Sequence, residues 1–288
     1  TIVPVTITDA ELAVEAQDYD GTYNGGSHDV LKNWTFTSTT GAEVDPDEIT
    51  VTFQKVNGEG SNPGAAGAWD AAADSFVNAE QSGDYWYKVA YESHATVYGA
   101  APVAITISPA ELALGSSLSV TEKVYDGTPD IHTDNGALTS QVGGIVSKDA
   151  DGVKIDVTAA YTDPNADDRS IEVRYTFTFG DSVLPGNYKV GDTVLTQNAA
   201  LTQTVTGKIF KAPLTIELES QWTVYDGAVP TASSVDGTWS ITSGTIYSQN
   251  GVQDDLGIQL TIEDAAADAK KYILTAEAKG EDSGNYEL

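Results

Sequence analysis

Val124-Tyr125-Asp126-Gly127-Thr128 decides the fold, because its central tripeptide recurs as Tyr19-Asp20-Gly21 and Tyr225-Asp226-Gly227. The spacings are 106 and 100 residues, and other landmarks keep their order around each copy. Upstream, a short apolar stretch runs into a shared pattern: Ile7 then Ala10-Glu11-Leu12, Ile107 then Ala110-Glu111-Leu112, Ile209 then Ala212-Pro213-Leu214. Downstream comes a Gly-x-Tyr signal at Gly83/Tyr85, Gly186/Tyr188 and Gly284/Tyr286. A period near 100 residues is too long for a solenoid repeat and fits one small domain. By sequence the chain is therefore three homologous modules, 9–107, 108–210 and 211–288, preceded by residues 1–8.

Each module is long enough to bury a core without metal or disulfide. The formal charge of −29 divides as −13, −7 and −9 over the three modules, so the acidity is spread along the chain. That is a soluble, self-repelling surface. It argues against nucleic acid and anionic membranes, whose recognition needs Lys/Arg clusters. The chain has no Cys, which rules out disulfide and thiol chemistry, and no Met to oxidise. Both absences suit an extracellular protein. No apolar run approaches the ~18 residues of a membrane span. Thr1 is not a translation start, so the sequence reads as a mature or excised piece.

Period-2 alternation dominates, as in Ile49–Phe53, Val153–Val157, Ile171–Phe177 and Ile258–Ile262. With Val, Ile, Thr and Tyr this predicts half-buried antiparallel strands. Turn clusters separate them, among them Asn57-Gly58, Asp151-Gly152, Pro185-Gly186-Asn187 and Asn250-Gly251. Ala65–Ala73 and Asp264–Lys271 allow a helical turn within a loop at most. The expected fold is all-β: three tandem Ig-like or β-grasp-like sandwich modules in an elongated rod. Only one or two residues, including Pro109 and Pro213, part the last strand of one module from the first of the next. Proline fixes φ and restricts its neighbour, which predicts a stiff joint.

The pattern Val124–Thr128, Gly186-Asn187-Tyr188 and Val205 through Ile216 resembles the YDG and MBG repeat modules of large bacterial surface proteins. Module 3 follows it at Val224-Tyr225-Asp226-Gly227 and Gly284-Asn285-Tyr286, with Ala228 in place of Thr. Module 1 departs most, with Asp18 for Val and Gly83-Asp84-Tyr85 for Gly-Asn-Tyr, and its tail is closer to the MBG variety. The resemblance implies stalk units of adhesins and fibres, with no catalytic residues to carry over.

The Tyr-Asp-Gly residues, Tyr19, Asp20, Gly21, Tyr125, Asp126, Gly127, Tyr225, Asp226 and Gly227, read as a structural motif. Asp-Gly makes a tight turn, and the tyrosine packs at the strand end with a hydroxyl able to pin a neighbouring loop. No cofactor is expected. The candidate metal site is Ca²⁺ at Asp163, Asn165 and Asp167, whose spaced oxygens suit a hard cation but lack the EF-hand glycine and distal Glu. Asp149/Asp151, Asp254-Asp255 and Asp45–Glu48 are weaker versions. His28, His94 and His132 stand at non-equivalent places, and no nucleophile-elbow, zincin or P-loop pattern is present, so the expectation is a non-enzyme. Lys123, aligned with Gln17 and Thr223, argues against a crosslink repeated in each module. Of Trp34, Trp69, Trp86, Trp222 and Trp239, those in strands belong by default to a core; a glycan or host-protein site would be sought on module 1.

These readings combine into a structural stalk or fibre segment on a bacterial surface, with neighbouring modules or copies of itself as partners. By repeat register, residues 1–8 correspond to Pro102–Ser108, a closing strand, whereas the sequence given stops two residues after Tyr286. This raises the expectation that residues 1–8 of one copy complete module 3 of the next, head to tail.

Overall fold

The computed structural model of the chain describes residues 9–58, 62–92, 94–115, 121–131, 142–220, 224, 226–231, 239–268 and 270–288. Residues 1–8, and with them the expected donor strand, lie outside that set. The chain is all-β: the described residues form 23 strands and seven short 3-10 turns, without an α-helix. No helix is long and apolar enough to cross a membrane.

Module 1 holds β1 (Leu12–Glu15), β2 (Tyr19–Thr22), β3 (Thr35–Ser38), β4 (Thr50–Lys55), β5 (Ala71–Ala72), β6 (Gly83–Ala90), β7 (Val97–Tyr98) and β8 (Val103–Ser108). Module 2 holds β9 (Ala110–Glu111), β10 (Glu122–Val124), β11 (Val153–Tyr161), β12 (Asp167–Phe179), β13 (Tyr188–Val190), β14 (Thr193–Val194) and β15 (Ala200–Phe210). Module 3 holds β16 (Ala212–Pro213), β17 (Thr215–Leu218), β18 (Trp239–Ser243), β19 (Ser248–Gln249), β20 (Val252–Gln253), β21 (Ile258–Ile262), β22 (Leu274–Ala278) and β23 (Tyr286–Glu287). The alternating segments of the sequence fall in β4, β11, β12 and β21. Ala65–Ala73 resolves into 3-10 turns at Gly64–Ala66 and Ala73–Ser75 flanking β5.

The sheets recur between modules. Module 1 has the order β2-β8-β6-β4-β5, and module 2 has β10-β15-β12-β11. Hairpin neighbours pair antiparallel, as expected. The first and closing strands instead pair parallel, β2 with β8 and β10 with β15. Parallel pairs also tie β9 to β13 and β16 to β23. These pairings join segments far apart in sequence, so alternation alone does not reveal their direction.

By contact density the chain forms two units, residues 1–115, 141–155 and 176–199, and residues 116–140, 156–175 and 200–288. The division runs through module 2, so each sequence junction lies inside one unit. The first unit is centred on an aromatic cluster, Trp34, Phe53, Phe76, Tyr85 and Tyr87, all buried and largely edge to face. In the second, Tyr161, Ile171, Val173, Tyr175 and Ile209 are buried along β11, β12 and β15. One residue, Pro109 or Lys211, parts each closing strand from the strand that opens the next module.

Candidate functional site: the module joints

β10 runs parallel to the end of β15, and the Tyr125 N–H closes this ladder on the Phe210 carbonyl at 2.8 Å. There the chain must turn. Asp126 Oδ1 accepts the Thr128 N–H at 3.0 Å, and Gly127 takes φ +77°. The turn sends the Tyr125 ring into module 3. Its hydroxyl donates to Asp254 Oδ2 at 2.6 Å, and the Tyr286 hydroxyl donates to the same oxygen at 2.7 Å. Tyr125, Asp254 and Tyr286 are 0%, 7% and 3% exposed, so this is a desolvated carboxylate clamped between two phenols. A buried carboxylate is tolerated only when its lone pairs are satisfied, and short charge-assisted bonds do that here. The Tyr286 oxygen also accepts the Tyr247 N–H, and Gln249 Nε2 donates to Tyr125. Beside the clamp, Asn285 Oδ1 accepts the Ala166 N–H, while its Nδ2 donates to Asn165 Oδ1.

The first unit repeats this constellation. Tyr23 and Tyr188 hydroxyls donate to Asp149 Oδ2 at 2.7 and 2.6 Å. Val146 N–H donates to the Tyr188 oxygen, Asn187 Oδ1 accepts the Ala79 N–H, and Asn187 Nδ2 donates to Asn78 Oδ1. Tyr23 N–H closes on the Ser108 carbonyl at 2.8 Å, as Tyr125 does on Phe210. Each joint therefore takes a Tyr turn and an Asn-Ala loop from one module, and an Asp loop and an Asn-Tyr turn from the next.

Tyr23 corrects the sequence register in module 1. Tyr19, Asp20 and Gly21 form no turn; they lie within β2, with the Tyr19 hydroxyl 2.9 Å from His28 Nδ1. The turn belongs to Tyr23-Asn24-Gly25, where Asn24 Oδ1 accepts the Gly26 N–H at 2.8 Å and Gly25 has φ +78°. Asn supports this side-chain-to-backbone turn as well as Asp does, which hid the match. In the corrected register Gly21, not Gln17, is the counterpart of Lys123. Lys123 Nζ binds Asp126 Oδ1 and the Thr128 and Asp130 carbonyls, holding the module 2 turn. In module 3, Asp226 Oδ1 accepts the Ala228 N–H at 2.9 Å and Gly227 has φ +85°, while Tyr225 lies outside the described residues.

The Gly-x-Tyr register also shifts in module 1. Ala110 and Ala212 pair in parallel with Tyr188 and Tyr286, but Ala10 pairs with His94. Gly83 and Tyr85 instead open β6. His94 Nε2 lies 2.9 Å from Ser38 Oγ. Its Nδ1 has no hydrogen-bond partner among the described residues, so nothing orients the ring as a nucleophile's base requires. His132 and Trp222 lie outside the described residues.

Asp149 and Asp254, weak cation ligands by sequence, are the acceptors at the centre of the joints. The oxygens of the Ca²⁺ candidate also have protein partners. Asp163 accepts the Asn165 N–H and faces Arg169 Nε at 3.5 Å; Asn165 Oδ1 receives Gln249 and Asn285; Asp167 Oδ1 accepts the Asp168 N–H. Among the described residues, no three His, Cys, Asp or Glu side chains gather as metal ligands. On module 1, Trp34, Tyr85, Tyr87 and Tyr91 are buried. Trp69 and Tyr98 stay half-exposed, with ring centroids 5.8 Å apart and Lys88 Nζ 5.7 Å from the Trp69 ring.

Burial, then the hydrogen bond to Asp149, pushes the Tyr23 phenol from 10.0 up to about 12. Tyr125, Tyr188 and Tyr286 are raised too, first by burial and then by their aspartates. A raised folded-state value means the joints' contribution is complete below pH 10 and lost as pH climbs through about 12. An alkaline titration followed by tyrosinate absorbance and near-UV circular dichroism should show exposed tyrosines ionising first. The remainder should ionise together with loss of tertiary signal; all tyrosines titrating near 10.0, with the fold intact, would refute the clamps.

A family model described as the YDG domain matches residues 108–199, so module 2 carries a YDG domain. The match spans the Tyr125 turn, Asp149 and Asn187-Tyr188, contributions of module 2 to both joints. No curated protein matches the chain.

Proposed function

We propose that the chain is a non-catalytic spacer: a stalk or fibre segment of an extracellular bacterial surface adhesin, with its modules in an elongated rod. The observation that carries this reading is the joint, built twice from the same residue types and with the same bonds. One-residue connections at Pro109 and Lys211 supply the covalent half of each joint, and the clamps supply the other half. Such joints hold neighbouring modules at a fixed angle under load, which is what a spacer must do. The spread of −29 charge keeps the segment soluble and self-repelling.

Small-angle scattering tests the rod. A 288-residue globule has a radius of gyration of about 19 Å, and a three-module rod should exceed about 30 Å. A compact value removes the spacer. Antibody labelling of intact cells tests the location, and signal only after lysis excludes the surface. A second reading, a glycan- or host-ligand-binding module, is favoured by the half-exposed Trp69–Tyr98 pair; a glycan array without hits that Trp69→Ala abolishes would remove it.

A further inference from the structure

Thr162 donates its N–H to the Ser170 carbonyl at the end of the β11–β12 hairpin, and Glu263 donates to the Ile273 carbonyl at the end of β21–β22. The two hairpins therefore superpose with Leu274, Ala276 and Ala278 at the places of Ile171, Val173 and Tyr175. The latter three are 0%, 1% and 2% exposed, whereas their module 3 counterparts stay half-exposed. Ile273 beside them is 63% exposed. The difference follows the closing strand. β15 lies beside β12, with Gly207 so close that a Cβ there would meet the Ile171 side chain, and β8 lies beside β6 in the same way. Among the described residues β22 pairs with β21 alone. Module 3 thus shows an open edge and an uncovered apolar stripe at one place, and an added strand would cover both.

We propose that this strand is residues 1–8 of a second copy, running antiparallel to β22. Val3, Val5 and Ile7 stand at the same distance before Ala10 as Val103, Ile105 and Ile107 before Ala110. Those three residues of β8 are 6%, 2% and 1% exposed, so the donor brings three apolar side chains at the required period of two. Pro4 fits as well. Its counterpart Ala104 sends its N–H to Asp18 Oδ1, away from β6, so proline at that position costs the ladder to β22 nothing. Module 1 of the donor copy already has β8 between β2 and β6, which leaves residues 1–8 without that role in their own chain. Each copy gives one strand and takes one, a heterologous contact that extends into filaments or closes as a ring. This assembly holds whether or not the chain works at a cell surface.

The test compares the full chain, a variant lacking residues 1–8, and the full chain with Val5→Asp, by light scattering across concentration and by amide exchange on β22. The full chain should form oligomers with concentration, and its β22 amides should gain at least about tenfold protection. Both variants should stay monomeric with fast-exchanging β22, while keeping the near-UV signal of the buried tyrosines as proof of folding. A synthetic peptide of residues 1–8 should restore β22 protection to the truncated chain without oligomers. A full chain that stays monomeric, truncated chains that assemble equally, or a peptide that leaves β22 exchange unchanged would each overturn the proposal.

Discussion

Asp254→Ala is expected to destabilise its unit by about 2–6 kcal/mol, because it strands two buried phenol hydroxyls at about 1–3 kcal/mol each. Tyr125 and Tyr286 are 0% and 3% exposed, so water cannot replace the lost acceptor without opening the joint. Asp149→Ala should do the same in the other unit, where Tyr23 and Tyr188 converge. Tyr125→Phe or Tyr286→Phe leaves one bond to the carboxylate and should cost less, about 1 kcal/mol. Equilibrium urea unfolding measures all four. An alanine variant within about 0.5 kcal/mol of wild type, the range of ordinary surface substitutions, would show that these carboxylates carry no joint energy.

Gly127→Val should be among the most damaging single changes in the chain, and Gly227→Val a mild one. Both residues sit at positive φ, +77° and +85°, so both variants pay backbone strain of about 1–3 kcal/mol. They differ in what surrounds them. A Cβ on Gly127 would lie 2.5 Å from the Ser248 carbonyl oxygen, whereas one on Gly227 meets nothing within 4 Å. Sequence alone predicts that each substitution harms only its own module. The joint changes that expectation, because Ser248 belongs to module 3, so Gly127→Val should loosen the contacts of Asp254 as well. Thermal unfolding with amide exchange at 247–254 checks this; equal effects from the two variants would mean that Ser248 is not the obstacle.

Much of this architecture was legible in the residues. The Ala10, Ala110 and Ala212 patterns each mark the start of a module, and the alternating segments fall in the strands expected of them. The joints were not legible, for definite reasons. In module 1 the turn uses Asn24 instead of Asp, so the tripeptide search settled on Tyr19, four residues too early. The acceptor aspartates escape any fixed spacing. Asp149 follows Val146 by three residues on a 3-10 turn, and its N–H returns to the Val146 carbonyl. Asp254 follows Tyr247 by seven, because the β19–β20 hairpin is inserted, yet its N–H returns to the Tyr247 carbonyl in the same way. Asn187 and Asn285 read as parts of a closing signal. Their partners, Asn78 and Asn165, lie 109 and 120 residues earlier, where local pattern carries no information.

A double-mutant cycle across one joint tests the account most directly. Tyr125→Phe, Asp254→Asn and the double variant, compared with the parent by equilibrium unfolding, isolate the bond between module 2 and module 3. The clamp predicts a coupling of about 0.5–3 kcal/mol between the two residues, and a similar value for Tyr23→Phe with Asp149→Asn. Additive losses at both joints would contradict it.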